Sequence, residues 1–274
     1  MKFSVTLTID ELSVIIKLMN QEGLIGLPEE PSTTQSGMQI TPQMRAYGAV
    51  CGMRSLRARE LAIVTEQGVL QLREDLDKNL AVCARAHQAF VINRVFEGDT
   101  GAERVVLYSA NGAAVAMLNP SPALYTFVAL QHRPAMFDQL VIACLGKRVI
   151  EAVDSYALTV PHQALANARE AAARSNLPAA QIAVATSGNS PQAAAALART
   201  LCEPHTLTII HAVEQLSASQ VKTQEFTVVC GSDRAWLMFK TKDHVDTART
   251  SFSVTSINNT QLRGLMQTLF ATAV

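Results

Sequence analysis

The sequence contains no run of about 18 apolar residues, the length that a membrane-spanning helix needs, so no such helix is read in its 274 residues. Its opening stretch, Met-Lys-Phe-Ser-Val-Thr-Leu-Thr-Ile-Asp-Glu, lacks a long apolar core and is not read as a signal peptide. There is no charge excess. Lys plus Arg equals Asp plus Glu at 23 each, which leaves no field to attract nucleic acid or an anionic membrane. The same neutrality leaves little protection against self-association, so a protein partner or a homodimer is expected. Cysteines are few and scattered: Cys51, Cys83, Cys144, Cys202 and Cys230 include no Cys-x-x-Cys pair, which fits a reducing compartment and a cytoplasmic location. Aromatic residues make up 5% of the chain and Trp236 is the single tryptophan.

Catalytic signatures are absent too. The chain has no Gly-x-Ser-x-Gly elbow, no Walker loop, no Gly-x-Gly-x-x-Gly and no His-Glu-x-x-His, so it is not read as an enzyme, and no cofactor or metal is expected. His87 and His205 each precede a predicted strand. A metal pair between them lacks recurring acidic or cysteine partners, and a helix C-terminal role suits a histidine there. Arg54, Arg57 and Arg59 form a basic cluster without interleaved aromatics and read as a solvated face.

What the sequence does have is a repeated strand–turn–strand. In Arg104–Asn119 the dipeptide Asn111-Gly112 lies between two apolar runs, a strong hairpin signal because both residues tolerate positive φ. In Glu225–Lys240 the turn is Gly231-Ser232-Asp233. Val105 and Phe226 lie 121 residues apart (226 − 105), as do Met117 and Met238. A helix with Phe137, Leu140, Val141, Cys144 and Leu145 on one face follows the first hairpin. The C-terminal helix carries Leu262, Leu265, Met266, Leu269 and Phe270 at the same i, i+3, i+4, i+7, i+8 spacing. Upstream, Ala157–Pro161 and its helix echo the strand Phe3–Ile9 and the helix capped by Asp10. Both copies end in Leu-Pro, at Leu27-Pro28 and Leu177-Pro178.

Between these landmarks Pro28–Pro42 reads as an exposed loop, Leu72–Ala86 as a helix and Asp99-Thr-Gly as a turn. The expected class is α+β, in two quasi-symmetric repeats, 1–150 and 151–274. Each is an antiparallel sheet with a central hairpin and flanking helices, the two packed as one pseudo-two-fold unit.

Two stretches carry function readings. Ile182-Ala-Val-Ala-Thr-Ser-Gly-Asn-Ser-Pro-Gln resembles the phosphate-binding strand and loop of sugar isomerase (SIS) domains, where serine hydroxyls and helix N-terminal amides hold a sugar phosphate. On that reading Ser187, Gly188, Asn189 and Ser190 bind an anion. The plainer reading is a turn before an N-capped helix. Trp236, with Phe239, reads as half-buried core or as an interface anchor.

The order of elements also resembles the EspG family, the cytosolic chaperones of ESX (type VII) secretion. The resemblance rests on the opening Val5-Thr-Leu-Thr-Ile-Asp-Glu-Leu and on Ser55-Leu-Arg-Ala-Arg-Glu-Leu, which is similar to the family's Ser-Leu-x-x-Arg-Gly-Leu. It also rests on the shorter Gly68-Val69, the helix after it, and the hairpin. Glu60 stands where the family more often has glycine. The resemblance implies a non-enzymatic adaptor that holds a helical secreted substrate of the PE–PPE or WXG-like kind. Partner-binding residues are then sought near Trp236 and Phe239. The alternatives are the sugar-phosphate binder and a structural homo-oligomer.

Overall fold

Asn111 and Gly112 have φ of 50° and 79°, the left-handed pair that a two-residue turn between twisted strands requires. They join strands Ala102–Ala110 and Ala113–Ser121 in a tight hairpin whose register sets Val106 opposite Met117 and Tyr108 opposite Val115. This is a computed structural model, and it describes residues 3–27, 39–96, 102–121, 123–146, 148–150, 154–185, 188–217, 220–241 and 250–271. Most of the Pro28–Pro42 stretch and the Asp99-Thr-Gly turn lie outside the described residues.

In chain order the elements are β1 (Ser4–Thr8), α1 (Ile9–Leu18), α2 (Pro42–Ala58), β2 (Ala62–Val64), β3 (Leu70–Leu72) and α3 (Glu74–Ala84). Then come β4 (Gln88–Phe96), β5 (Ala102–Ala110), β6 (Ala113–Ser121), β7 (Leu124–Leu130) and α4 (Arg133–Leu145). The remainder is β8 (Ala157–Pro161), α5 (His162–Ala173), α6 (Leu177–Ala185), α7 (Pro191–Cys202), β9 (Thr206–Ser217), β10 (Gln220–Cys230), β11 (Ala235–Lys240), β12 (Ser251–Ile257) and α8 (Asn259–Ala271). The class is α+β with antiparallel pairing, as the hairpins predict.

The chain forms two compact units. The first comprises Met1–Val91, Val105–Met136 and Glu214–Val221; the second comprises Ile92–Arg104, Phe137–Val213 and Lys222–Val274. Within the first, strands run in the order β1-β7-β6-β5, and within the second β8-β12-β11-β10. The core of the first holds Leu7, Leu12, Ile15, Leu56, Leu76, Leu80, Tyr108, Met117 and Phe127, all buried. In the second, Leu158, Val160, Val229, Trp236, Met238 and Val254 from the strands pack on Leu165, Ala168, Val184, Ala194, Leu197 and Leu201 from α5, α6 and α7. The alanines on α5 and α7 let the helix backbones lie close to the sheet and to one another.

Helix ends explain several boundaries. Helix α1 is capped two residues earlier than the expected Asp10. Thr8 Oγ accepts from the Glu11 amide and the Glu11 carboxylate accepts from the Thr8 amide, a capping box that Thr8-x-x-Glu11 spells in the sequence. Helix α8 is capped by Asn258, whose side chain accepts from the Gln261 amide at 2.8 Å. Asn259 ties the preceding segment, accepting from the Ile150 amide and donating to the Arg148 carbonyl. Leu72 belongs to β3, where it pairs with Ala62, because a Gly68 turn at φ 77° folds Leu70–Leu72 back onto Ala62–Val64. The apolar period of α3 (Leu76, Leu80, Cys83) merely continues the phase of Leu72. On α8, Leu262 and Met266 are buried whereas Leu265 is exposed, so its stripe is narrower than the spacing predicts.

Helices α1, α2 and α5 end alike. The residue after each helix cap is left-handed, namely Asn20, Glu60 and Ser175, with φ of 54–55°. The next amide in each case bonds back to a carbonyl five residues earlier: Gln21 to Ile16, Leu61 to Leu56, Asn176 to Ala171. These are Schellman turns, in which glycine is the unstrained choice.

Helix α2 approaches α1 through glycine. A Cβ on Gly52 would sit 2.6 Å from the Asp10 carbonyl oxygen, and one on Gly48 2.7 Å from an Asp10 carboxylate oxygen. The backbone contact at Gly52 cannot yield by a rotamer change. Gly52→Ala is therefore expected to lower the unfolding free energy by about 1–3 kcal/mol, read by urea denaturation, despite alanine's better helix propensity.

Candidate protein-interaction surface

On β11 the alternation of a strand separates the two residues singled out in the sequence. Trp236 is 0% exposed and belongs to the core beneath α7; its indole N–H donates to Thr200 Oγ1 at 3.0 Å, and its ring stacks on Tyr156 at 6.2 Å. Burial corrects the anchor reading of Trp236, since no partner reaches a ring closed in by α7 and Tyr156. The Thr200 hydroxyl donates in turn to the Ala196 carbonyl at 3.1 Å, so the indole meets a satisfied acceptor inside a helix. Phe239, three residues on, points to the other face, opposite Phe226, and is 37% exposed.

Asn189 and Ser190, offered as anion ligands, are already spent. The Asn189 side chain donates to the Thr159 carbonyl and accepts from the Thr159 amide, both at 3.1 Å, and donates to the Val184 carbonyl at 3.2 Å. It thereby supplies β8 with a strand partner. Ser190 caps α7, accepting from the Ala193 amide at 3.1 Å. The stretch Ile182–Ala185, read as a strand on the SIS resemblance, is the end of helix α6, which its alanine content favours. Ser187 lies outside the described residues. Among the described residues no group of three or more His, Cys, Asp or Glu converges as metal ligands would. His205 follows α7, with Nδ1 2.9 Å from the Glu203 carbonyl. Burial raises the thiol pKa of Cys83, Cys144 and Cys230, which makes poor nucleophiles of all three.

In the first unit the segment Ser55–Leu61 builds a network around one buried carboxylate. Glu11 is fully buried at the start of α1. Its Oε1 accepts from the Ser55 hydroxyl at 2.7 Å, both carboxylate oxygens accept from Arg59 Nη1 at 2.8 Å, and Oε2 accepts from the Thr8 amide at 2.8 Å. Arg59 Nη2 also donates to the Thr6 carbonyl at 2.7 Å. Burial by itself pushes the Glu11 carboxyl up, but the Thr8 amide, the Ser55 hydroxyl and the Arg59 guanidinium outweigh it and hold the carboxyl below its ordinary value. Arg59 is thus a structural partner and not part of a solvated basic face.

What this network holds in place is a helix with little of itself buried. Only Gly52 and Leu56 of α2 are fully buried, whereas Met44, Tyr47, Val50 and Met53 are exposed. Between α1 and α2 runs an open groove of about 550 Å³, lined by Ile9, Ser13, Ile40, Met44, Tyr47 and Cys51. Beyond α2 the β2–β3 hairpin exposes Ile63, Val64 and Val69, and a second groove of about 650 Å³ passes Leu18, Ile63, Val69 and Leu70. Exposed apolar area of this kind marks interaction surfaces and ligand-binding grooves.

The sequence matches no protein-family model and no curated protein. The structure is similar to that of the Mycobacterium tuberculosis type VII secretion system chaperone EspG5, solved in complex with a PE25-PPE41 dimer. The TM-score is 0.66 at 15% sequence identity, over 99% of this chain and 97% of that chain. The chain has an EspG-like fold. Within that fold, Ser55, Arg59 and Leu61 are the Glu11 ligands and the Schellman turn of α2, and Glu60 occupies its left-handed position, where a glycine is relaxed.

Two measurements test these assignments. Trp236→Ala is expected to cost about 3–5 kcal/mol of folding free energy, whereas Phe239→Ala leaves folding nearly unchanged, read by chemical denaturation. Because the folded pKa of Glu11 lies below its ordinary value of 4.5, its contribution to stability is present above that pH and lost as pH falls through the folded value. Glu11→Gln is therefore expected to destabilise by about 1–3 kcal/mol at pH 7, the cost of an unsatisfied buried group, with the difference from wild type shrinking below pH 4.5.

Proposed function

We propose that this protein is a protein-binding chaperone of the EspG kind, which holds a helical client of the PE–PPE type in the cytoplasm before type VII secretion. The observation that carries the reading is the likeness over nearly the whole of both chains to a chaperone solved with such a dimer. The exposed apolar residues of α2, the β2–β3 hairpin and Phe239 support it, because a client with an apolar helical end must be met by apolar surface. Neutral overall charge fits a surface that works by shape and apolar contact and not by long-range steering. With Trp236 in the core, the anchor sought on β11 is Phe239.

Co-expression with a PE–PPE pair from the same genome, followed by size-exclusion chromatography, tests the proposal. A stable complex containing one copy of each chain is the expected result, and Phe239→Ala is expected to weaken it about tenfold or more. A protein that elutes only as itself, or as a self-dimer with no client retained, overturns the reading.

A further inference from the structure

We propose that the outer face of α2 docks an amphipathic helix whose polar flank is acidic. The proposal rests on the protein-binding reading above and assigns it a surface and a partner chemistry. Met44, Tyr47, Val50 and Met53 recur every third residue, so they form one continuous row winding round α2, from the edge of the α1 groove at Met44, across the side opposite Gly52 at Tyr47 and Val50, to Met53. Tyr47 is 71% exposed, and the other three lie between 37% and 41%. An isolated exposed apolar residue needs no explanation, but four in one ridge on a helix held by two glycines and a leucine do.

Charge supplies the second observation. The seventeen residues of α2 include Arg45, Arg54 and Arg57 and no Asp or Glu, in a chain whose charges balance overall at 23 each. Arg54 stands one turn beyond Val50 and Arg57 one turn beyond Met53, so both flank the ridge. Among the described residues neither has an ion-pair or hydrogen-bond partner. Tyr, Met and Arg are the residue types over-represented at protein interfaces, and methionine adapts to varied apolar partners.

A helix is the occupant that fits. Residues three apart on a helix make the ridges that interdigitate with a facing helix. An extended strand would find no open backbone donors or acceptors along α2 to pair with. From Met44 to Arg57 the ridge is roughly 20 Å long, matching about four turns of a partner. Three arginines fall short of the cluster of about four to eight basic residues by which a helix holds an anionic membrane. Carboxylates on the partner, set beside its apolar stripe, would face Arg54 and Arg57.

The test uses the full chain and a fluorescein-labelled synthetic peptide of about 18 residues, helical, with Leu at i, i+3, i+4 and i+7 spacing and Glu on the flanks. A second peptide carries Lys in place of each Glu. Fluorescence anisotropy is expected to show the acidic peptide binding at least tenfold more tightly than the basic one. Arg54→Glu with Arg57→Glu is expected to abolish that preference, and Tyr47→Ser with Val50→Ser to weaken the acidic peptide tenfold or more. Hydrogen exchange at 42–58 slows when the peptide binds. All four positions are exposed, so circular dichroism should give unchanged melting; should the charge reversal unfold the protein, Arg54→Gln with Arg57→Gln replaces it.

Equal affinity for the two peptides, or binding indifferent to these substitutions, overturns the proposal. So does binding to phosphatidylglycerol vesicles lost with the same arginines, or a self-dimer that the same substitutions dissolve. If the arginine variant fails to bind the acidic peptide but still retains a PE–PPE pair, α2 serves a different partner and the chaperone reading stands. If the peptide binds α2 and no PE–PPE pair is ever retained, the chaperone reading falls and the α2 assignment stands.

Discussion

A carboxylate buried without partners would be among the costliest features that a fold could carry, and the first unit is arranged around avoiding that cost at Glu11. Its four hydrogen bonds come from three donor groups on two elements: the Thr8 amide at the end of β1, and the Ser55 hydroxyl and Arg59 guanidinium on and at the end of α2. Arg59 also reaches the Thr6 carbonyl in β1. One side chain thereby fixes the start of α1, the angle at which α2 crosses it, and the approach that only Gly48 and Gly52 allow. Removing any donor leaves a charge in the interior with fewer partners, so these residues stand or fall as a set. The value of the arrangement is that it pins α2 with few apolar contacts and leaves most of that helix in solvent.

The second unit solves a different problem by different means. Its sheet face is covered by α5, α6 and α7, whose alanines permit close packing but bury little area each. Trp236 supplies the bulk that those helices lack, filling the space under α7, and its one polar atom is satisfied by Thr200. Strand alternation then leaves Phe239 on the opposite face, next to Phe226. Asn189 shows a similar economy. Its amide imitates a peptide group for β8 at Thr159, so the loop that resembles an anion site is consumed in completing the sheet.

The exposed ridge of α2 follows from the way that helix is held. A fold that keeps apolar surface open must do so without losing its own shape. Pinning a helix by a buried ion network and by glycine contacts meets both demands, since neither needs a wide apolar face turned inward.

Much of this was legible in the sequence because it depends on neighbours along the chain. Asn111-Gly112 demands a hairpin by its backbone preferences. The stripe of α4 follows from helical period, and Ser190-Pro191 announces a helix start. The element order, and with it the resemblance to EspG proteins, came from such local signals. The Thr8-x-x-Glu11 box was equally local and could have been read directly. Other features have no local signature. Which face of β11 carries Trp236 inward is set by the helices that cover it, and the sequence around Trp236 is apolar on both sides. That Arg59 is a ligand of Glu11, and Arg54 and Arg57 are not, depends on the rotation of α2 against α1, set by glycines whose meaning appears only when a second backbone lies against them. Leu72 and the Ile182 stretch were misread for the same reason. Short apolar runs suit strand or helix equally, and the pairing partner decides: β2 for Leu72, and for Ile182 a helix end held by Asn189. The sequence alone determines what each segment can form; contacts between segments far apart in the chain decide which of its faces is core and which is left for a partner, because burial is a property of the neighbours and not of the residue.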